Sequence, residues 1–85
     1  VPEDSKNAEG EIIQGQIEDD LRRLIDELPE EQREVLVMRH YADMSFKEIA
    51  EQTNVSINTA LGRMRYALIN MRKLIDKYDL SLTLQ

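Results

Sequence analysis

The sequence predicts an all-α domain of four helices, and two properties of the chain support this fold class. Its composition favours helix over strand, because Leu, Ile, Met, Glu and Arg are common and aromatic residues make up only 5% of the 85 residues. Its apolar residues recur at three- and four-residue intervals, the spacing of one face of a helix. Apolar residues, at 41%, are numerous enough for a core, and the length suits a single domain.

The first predicted helix follows a polar segment. Residues 1–10 lack periodicity, which predicts a linker or tail, whereas residues 11–78 carry the periodic pattern and form the predicted domain. Residues 79–85 are interpreted as a C-terminal tail. The apolar face of the first helix is predicted to consist of Ile13, Ile17, Leu21, Leu24, Ile25 and Leu28.

Pro29 separates the first helix from the second. Proline cannot continue a helix, but it suits the first turn of the next one. Glu30 and Glu31 follow it, where the positive end of the helix dipole favours acidic side chains. The second helix is predicted to run to about Tyr41. Its buried residues are predicted to be Val35, Leu36 and Met38.

A capping signal marks the third helix. Ser45 and Glu48 form an S-x-x-E capping box, in which each side chain hydrogen-bonds a backbone N–H at the helix start. The helix is predicted to cover Phe46–Thr53. Asn54 tolerates the left-handed conformation of a tight helix exit, so a turn is predicted there. The inward-facing residues are predicted to be Phe46, Ile49 and Ala50.

The fourth helix is predicted to begin after Ser56, whose hydroxyl can cap it. Arginines follow one side of this helix. The core side is predicted to consist of Ala60, Met64, Ala67, Leu68, Met71, Leu74 and Ile75.

The third and fourth helices, joined by a turn of about three residues, match a helix-turn-helix motif. The small side chain of Ala50 suits the point where the two helices approach most closely. In such motifs the second helix enters the major groove of DNA by its first turns, and its unpaired N–H groups face phosphate. The exposed residues predicted in those turns are Ile57, Asn58, Leu61, Gly62 and Arg65.

The charge distribution agrees with a DNA-binding surface, although the net charge of −6 does not. Residues 55–78 contain five basic residues and one acidic residue, a net charge of +4, so the rest of the chain carries −10. One surface therefore suits phosphate and another suits a basic protein. An ordinary solvated acidic surface beside a cationic helix is the simpler alternative.

Residues 28–75 resemble region 4 of sigma-70 family sigma factors of the extracytoplasmic-function group. The family pattern has Leu-Pro opening a helix, a short loop, Ser-x-x-Glu-Ile-Ala, a turn, and then x-Thr-x-x-x-Arg-x-x-x-Ala-x-x-x-Leu-Arg. The residues that match it are Leu28, Pro29, Ser45, Glu48, Ile49, Ala50, Thr59, Arg63, Ala67, Met71 and Arg72. Asn54 stands where a glycine is common.

The resemblance implies a domain that binds the minus-35 promoter element while it is attached to the beta-subunit flap of core RNA polymerase. A region 2 domain would lie in another part of the polypeptide, and an anti-sigma factor is a further candidate partner. By position, Thr59 and Arg63 correspond to family DNA contacts. The full set of candidate DNA-binding residues is Ser56, Asn58, Thr59, Leu61, Gly62, Arg63, Arg65 and Tyr66.

Two of these residues depart from the family pattern. Leu61 and Gly62 stand where many members carry a basic residue and a serine, so hydrogen bonding to bases is not expected from them. Apolar contact with thymine methyl groups and a close approach of the backbone are what they can supply instead.

The remaining observations limit the alternatives. No set of residues suggests a catalytic or cofactor site, so we expect no enzyme activity and no cofactor. His40 has no second metal ligand at a helical spacing, so no metal site is expected. Two other functions stay open: a response-regulator effector domain with a similar layout, and a helical adaptor domain that binds proteins through its acidic half.

Location is inferred from composition. The chain has no cysteine, which fits a reducing compartment, and no apolar run near the roughly 20 residues of a membrane span. No secretory leader is recognisable, so a cytoplasmic location is expected. Because the first residue is Val1, we expect the chain to be part of a longer polypeptide.

Overall fold

The computed structural model describes residues 15–78, which form four helices and contain no strand. Helix α1 includes residues 15–26, α2 covers Glu30–His40, α3 covers Phe46–Thr53 and α4 covers Ile57–Lys77. The all-α, four-helix prediction is therefore confirmed for these residues. The predicted linker 1–10, the tail 79–85 and Ile13 lie outside the described residues, so the domain limits stay a prediction. None of the described helices has the length and apolarity that crossing a membrane requires.

The connection from α1 to α2 is short because Pro29 stops the first helix. The N–H groups of Glu27 and Leu28 donate to the carbonyls of Leu24 and Ile25, each at 3.0 Å, which tightens the last turn. Pro29 then lies at the N-cap of α2, one residue before the first helical turn where it was expected. Its carbonyl accepts from the Arg33 N–H at 2.9 Å, so it still starts the hydrogen-bond ladder.

The connection from α2 to α3 contains a left-handed residue that was not predicted from the sequence. Asp43 has a φ of 55°, which an aspartate adopts more readily than most residues. The turn is fixed from both sides: the Met44 N–H donates to the Met38 carbonyl at 3.1 Å, and Arg39 Nη1 donates to the Met44 carbonyl at 2.8 Å. The guanidinium of Arg39 also lies 5.0 Å from the centre of the Phe46 ring.

The predicted capping box of α3 is confirmed. Ser45 Oγ accepts from the Glu48 N–H at 3.1 Å, and Glu48 Oε1 accepts from the Ser45 N–H at 3.0 Å. The bond from the Ser45 N–H, together with a contribution from the Ser45 hydroxyl, lowers the pKa of Glu48 below its ordinary value. The ionised form of Glu48 is thus the one that stabilises the start of α3.

The core consists of two groups of buried residues that meet at Met64. We call them the bundle cluster, where α1 and α2 pack on the C-terminal half of α4, and the turn cluster, where α2 and α3 pack on its N-terminal half. The bundle cluster contains Leu24, Ile25, Leu28, Leu36, Ala67 and Met71. The turn cluster contains Val35, Ile49, Ala50 and Ala60.

One core prediction was wrong. Leu68 was expected on the core side of α4, but 53% of its surface is exposed. Successive residues of a helix point about 100° apart, and Ala67 is the residue that faces the core with no exposed surface. Leu68 is therefore turned toward solvent. Phe46 and Met38, predicted to face inward, are partly buried against the turn cluster.

Candidate nucleic-acid interface

Helices α3 and α4 are joined by the three-residue turn 54–56, as the helix-turn-helix motif requires. Asn54 has a φ of 57° and a ψ of 46°, the predicted left-handed conformation. The Val55 N–H donates to the Ala50 carbonyl at 3.0 Å, and the Asn54 N–H donates to the Glu51 carbonyl at 3.3 Å, a pair of bonds typical of a Schellman helix end. This turn fixes the direction in which α4 leaves α3.

Small side chains let the two helices of the motif approach each other. Ala50 of α3 is 7% exposed, and Ala60 of α4 has no exposed surface. Both belong to the turn cluster with Ile49 and Val35, so α3 and α2 cover the inner side of the first turns of α4. The outer side of these turns is left free in the part of the chain that the structure describes.

The outer side of α4 presents two neighbouring rows of residues, which together we call the recognition surface. One row contains Ile57, Leu61 and Arg65, and the other contains Asn58, Gly62 and Tyr66. Residues four positions apart on a helix lie next to each other along its surface, so each row is continuous. Ile57 is 47% exposed, Leu61 43% and Tyr66 61%. This surface therefore offers apolar contacts and two polar groups, the Asn58 amide and the Arg65 guanidinium.

Gly62 leaves a gap in the second row. A Cβ atom built on Gly62 would meet no atom of another side chain or element within 4 Å in the described structure. The neighbouring helices therefore do not require glycine at this position. The gap opens toward the groove between α4 and the start of α2.

Ser56 and Thr59 are paired at the N-terminus of α4. Ser56 Oγ accepts from the Thr59 N–H at 3.1 Å and donates to Thr59 Oγ1 at 3.0 Å. The Ser56 hydroxyl is thereby used as the predicted N-cap. The Thr59 hydroxyl accepts from Ser56, so its own hydrogen can still be donated to a phosphate oxygen.

Arg63 lies beside the recognition surface and is turned toward α2. Its Nη2 is 3.7 Å from Glu31 Oε2, and its side chain is 22% exposed. Arg63 was predicted from the sequence but its partner was not, since a pair 32 residues apart on different helices has no local signature. The groove that holds the two side chains is lined by Pro29, Glu31, Gln32, Thr59, Gly62, Arg63 and Tyr66.

Further contacts hold α4 in place along its length. Asn70 Nδ2 donates to Gln32 Oε1 at 2.7 Å, which joins α4 to α2 behind the groove. At the end of α4 the Tyr78 hydroxyl donates to Glu27 Oε1 at 2.7 Å, which joins α4 to the end of α1. The recognition surface is thus carried by a helix that polar contacts and the two core clusters attach to the rest of the domain.

Helix α4 carries a net positive charge, whereas α1, α2 and their connection carry a net negative charge although they contain four arginines, Arg22, Arg23, Arg33 and Arg39. Among the described residues, Arg65, Arg72 and Lys73 of α4 make no salt bridge and no side-chain hydrogen bond, so their charges are available to a partner. The acidic residues of α1 and α2, with the connection between them, are Glu18, Asp19, Asp20, Asp26, Glu27, Glu30, Glu31 and Glu34. Within the described residues, no group of three or more His, Asp or Glu side chains could hold a metal ion.

The eight candidate DNA-binding residues therefore fall into two sets. Five lie on the recognition surface: Asn58, Leu61, Gly62, Arg65 and Tyr66. The other three form its border, Ser56 as a cap, Thr59 beside it and Arg63 next to Glu31. Their roles in DNA binding stay predictions.

Similarity to known proteins extends over parts of all four helices. The family described as sigma-70, region 4, matches residues 18–68. The RNA polymerase sigma factor SigV of Bacillus subtilis (strain 168) is 39% identical over 62 residues, which is 73% of this chain and 37% of that protein. The matched segment thus spans little more than a third of this relative. No match to a solved structure was found.

Proposed function

Since this chain belongs to the sigma-70 region 4 family, we propose that it binds the minus-35 element of promoters and helps to recruit core RNA polymerase for transcription initiation. The resemblance to region 4 of extracytoplasmic-function sigma factors, predicted from the sequence, is confirmed by the family match and by the sigma-factor relative. The response-regulator and adaptor alternatives are not favoured, because the matched family is that of sigma factors.

The observation that carries the proposal is the outer side of α4. A helix-turn-helix protein inserts the first turns of its second helix into the major groove. Here those turns are packed by α2 and α3 on the inner side and present the recognition surface on the other. Arg65 can donate to a guanine edge and Asn58 to an adenine edge, the usual pairings for these side chains.

Phosphate contacts belong to the border of the recognition surface in this proposal. The N–H groups at the start of α4, the Thr59 hydroxyl and the Arg63 guanidinium lie along one edge. Further along the helix, Arg72 and Lys73 extend the cationic strip. Binding by few cations on a domain of net charge −6 is weak, and its salt dependence is set by the small number of phosphates that these cations neutralise.

The polymerase contact is assigned to α2. Glu30 and Glu34 are exposed on this helix, and Val37 and Tyr41 add exposed apolar surface at its far end, whereas Glu31 faces Arg63 beside the recognition surface. An acidic surface with an apolar edge suits attachment to the beta-subunit flap, and an anti-sigma factor is a second candidate for it. The domain is proposed to act in the cytoplasm and to catalyse no reaction.

The proposal is tested by measuring the affinity of the chain for promoter duplexes at two salt concentrations. A duplex set enriched from a random library by the 85-residue chain serves as the ligand, and a scrambled duplex serves as the control. We expect selective binding that weakens as the salt concentration rises, with a slope that reflects a small number of phosphate contacts. Affinity that ignores sequence, or that does not respond to salt, would contradict the proposed function.

The polymerase assignment is tested separately by charge reversal. Glu34→Lys is expected to weaken binding to core RNA polymerase and to leave promoter binding intact. The matched control is Asp19→Lys, an exposed acidic residue on α1. Polymerase binding that survives Glu34→Lys together with Glu30→Lys would place the contact elsewhere.

A further inference from the structure

We propose that the first two turns of α4 recognise thymine methyl groups through Ile57 and Leu61, and that Gly62 lets the helix lie close to the DNA at the same step. The inference rests on the proposed function and deepens it, because it names the base feature that is read.

The first observation is the exposure of two large apolar side chains. Ile57 and Leu61 leave 47% and 43% of their surface uncovered, although they lie where a helix-turn-helix protein meets the base edges. Neither belongs to the bundle cluster or to the turn cluster. The uncovered parts of both side chains are available to a bound partner.

The second observation is the chemistry of the major groove. Each base edge there presents hydrogen-bond donors and acceptors, and thymine adds a methyl group on C5. An apolar side chain makes no hydrogen bond, so the methyl group is the feature that Leu61 can distinguish. Ile57 lies one turn before Leu61 on the same row, about 5–6 Å away, so the two side chains form one continuous apolar surface.

The third observation is independent of the other two and concerns Gly62. Glycine is a poor residue for the interior of a helix compared with alanine. Its presence is explained when a neighbour would clash with a Cβ atom, but no atom of another described side chain or element lies within 4 Å of that position. The described structure therefore leaves the surface at position 62 open. In the proposed complex a DNA strand lies against this part of the second row of the recognition surface, which Gly15 on α1 does not share.

The three observations point to one mode of recognition. Without a side chain at position 62, the helix can lie deeper in the major groove. The Leu61 side chain then contacts a thymine methyl group. The hydrogen bonds of recognition then come from Asn58, which lies in the second row beside the apolar pair, and from Arg65, which follows Leu61 in the first row. Thymine is read by shape and apolar contact, and its neighbours are read by hydrogen bonds.

The first experiment removes the methyl group and nothing else. In a duplex enriched by the 85-residue chain, each thymine is replaced in turn by deoxyuridine, and affinity is measured by fluorescence anisotropy. We expect a loss of about three- to fourfold at one or two positions, the effect of one buried methyl group. The loss should disappear in Leu61→Ala or Ile57→Ala, and it should persist in the control Leu68→Ala, which removes an exposed leucine of the same helix.

The outcomes separate this inference from the proposed function. Sequence-selective binding that is insensitive to every deoxyuridine would overturn the inference and leave the proposed function standing. Equal sensitivity in Leu61→Ala, Ile57→Ala and the parent chain would also overturn it. Failure of any duplex to be enriched would instead contradict the proposed function.

The second experiment uses opposite effects on stability and binding. Gly62→Ala is expected to raise the melting temperature, because alanine favours helix, and to weaken binding to the enriched duplex by about fivefold or more. Gly15→Ala is the matched control, since Gly15 is also helical, lies on α1, and has no atom of another element within 4 Å of an added Cβ. It should leave affinity unchanged. A Gly62→Ala domain that binds as tightly as the parent would remove the reason for proposing a close approach.

Discussion

The two halves of α4 are built for different tasks. Its N-terminal half packs on α3 and α2 through the turn cluster and leaves an outer surface of apolar, amide and glycine residues. Its C-terminal half packs on α1 through the bundle cluster, and its outer side carries Arg72, Lys73 and Lys77. In the proposed function, the first half contacts bases and the second half contacts phosphate.

In the proposed function, a single long helix contributes both to the core and to recognition. A helix of 21 residues is about 31 Å long, enough to be anchored at one end and to read DNA at the other. Residues that hold the helix and residues that read DNA therefore need not coincide. Substitutions should accordingly separate into those that change the free energy of unfolding and those that change DNA affinity.

The largest effect is expected from enlarging a buried side chain in the C-terminal half of α4. Ala67→Leu enlarges the side chain at a site with no exposed surface, which should destabilise the domain by about 1–3 kcal/mol. DNA binding should be lost only as far as folding is lost. Chemical denaturation checks this, with Leu68→Ala as the exposed control. An equal loss of stability in both variants would contradict the assignment of Ala67 to the buried side of α4.

Arg63→Ala tests whether the border of the recognition surface contacts DNA. We expect an unchanged melting temperature and weaker DNA binding. A guanine contact would contribute about 1–3 kcal/mol of discrimination, whereas a phosphate contact would weaken all sequences alike and lower the salt slope by about one. Arg23→Ala, which removes a 75% exposed arginine side chain from α1, is the control. Early melting of Arg63→Ala would mean that the residue is structural and that the assignment of the border is wrong.

Substitutions in the capping box test how much the start of α3, which packs on the N-terminal half of α4, contributes to stability. Ser45→Ala should cost about 1 kcal/mol of stability, the usual effect of losing an N-cap. Because the folded pKa of Glu48 lies below its ordinary value, its contribution is present above the unfolded pKa and is lost as the pH falls through the lower folded pKa. Urea denaturation across this acidic range should show a flatter pH dependence for Glu48→Gln than for the parent. Parallel pH profiles would contradict the role of the ionised carboxylate.

The smallest effect is expected from Glu31→Gln. Glu31 is 71% exposed and 3.7 Å from the Arg63 guanidinium, so its removal should cost little stability. It should raise DNA affinity by about two- to fivefold. In the parent chain Arg63 gives up its ion pair with the Glu31 carboxylate when it binds a DNA phosphate, and an exposed ion pair contributes about 0.2–1 kcal/mol. In the background of Arg63→Ala the gain should vanish. A gain that persists there would be a general effect of charge and would leave the pair without a role.

Local features of the fold could be predicted from the sequence, and distant contacts could not. The bounds of α3, its capping box and the left-handed Asn54 were predicted correctly, because each depends on residues a few positions apart. Leu68 was placed wrongly because its spacing fits the edge of the apolar face, and only packing decides which side of that edge is covered. Asp43 has no neighbouring signal that fixes its conformation.

The candidate site also combines local features that the sequence predicts with distant contacts that it does not. The outer residues of α4 followed from the position of the turn and the helical period. The approach of Glu31 to Arg63 and the bond between Gln32 and Asn70 depend on how α2 lies across α4, which no spacing in the sequence encodes. Whether each of the eight candidate residues contacts DNA stays a prediction.

The separation of charge between α4 and the first two helices also bears on how the domain searches a genome. Negative charge on α1 and α2 is repelled by DNA, while α4 is attracted, so the electric field of a duplex exerts a torque that presents α4 first. The same repulsion shortens visits to random sequence, because few cations hold the domain there. A genome offers on the order of 10⁶ or more competing non-specific sites. A domain with a short residence time on non-promoter DNA samples more sites in a given time.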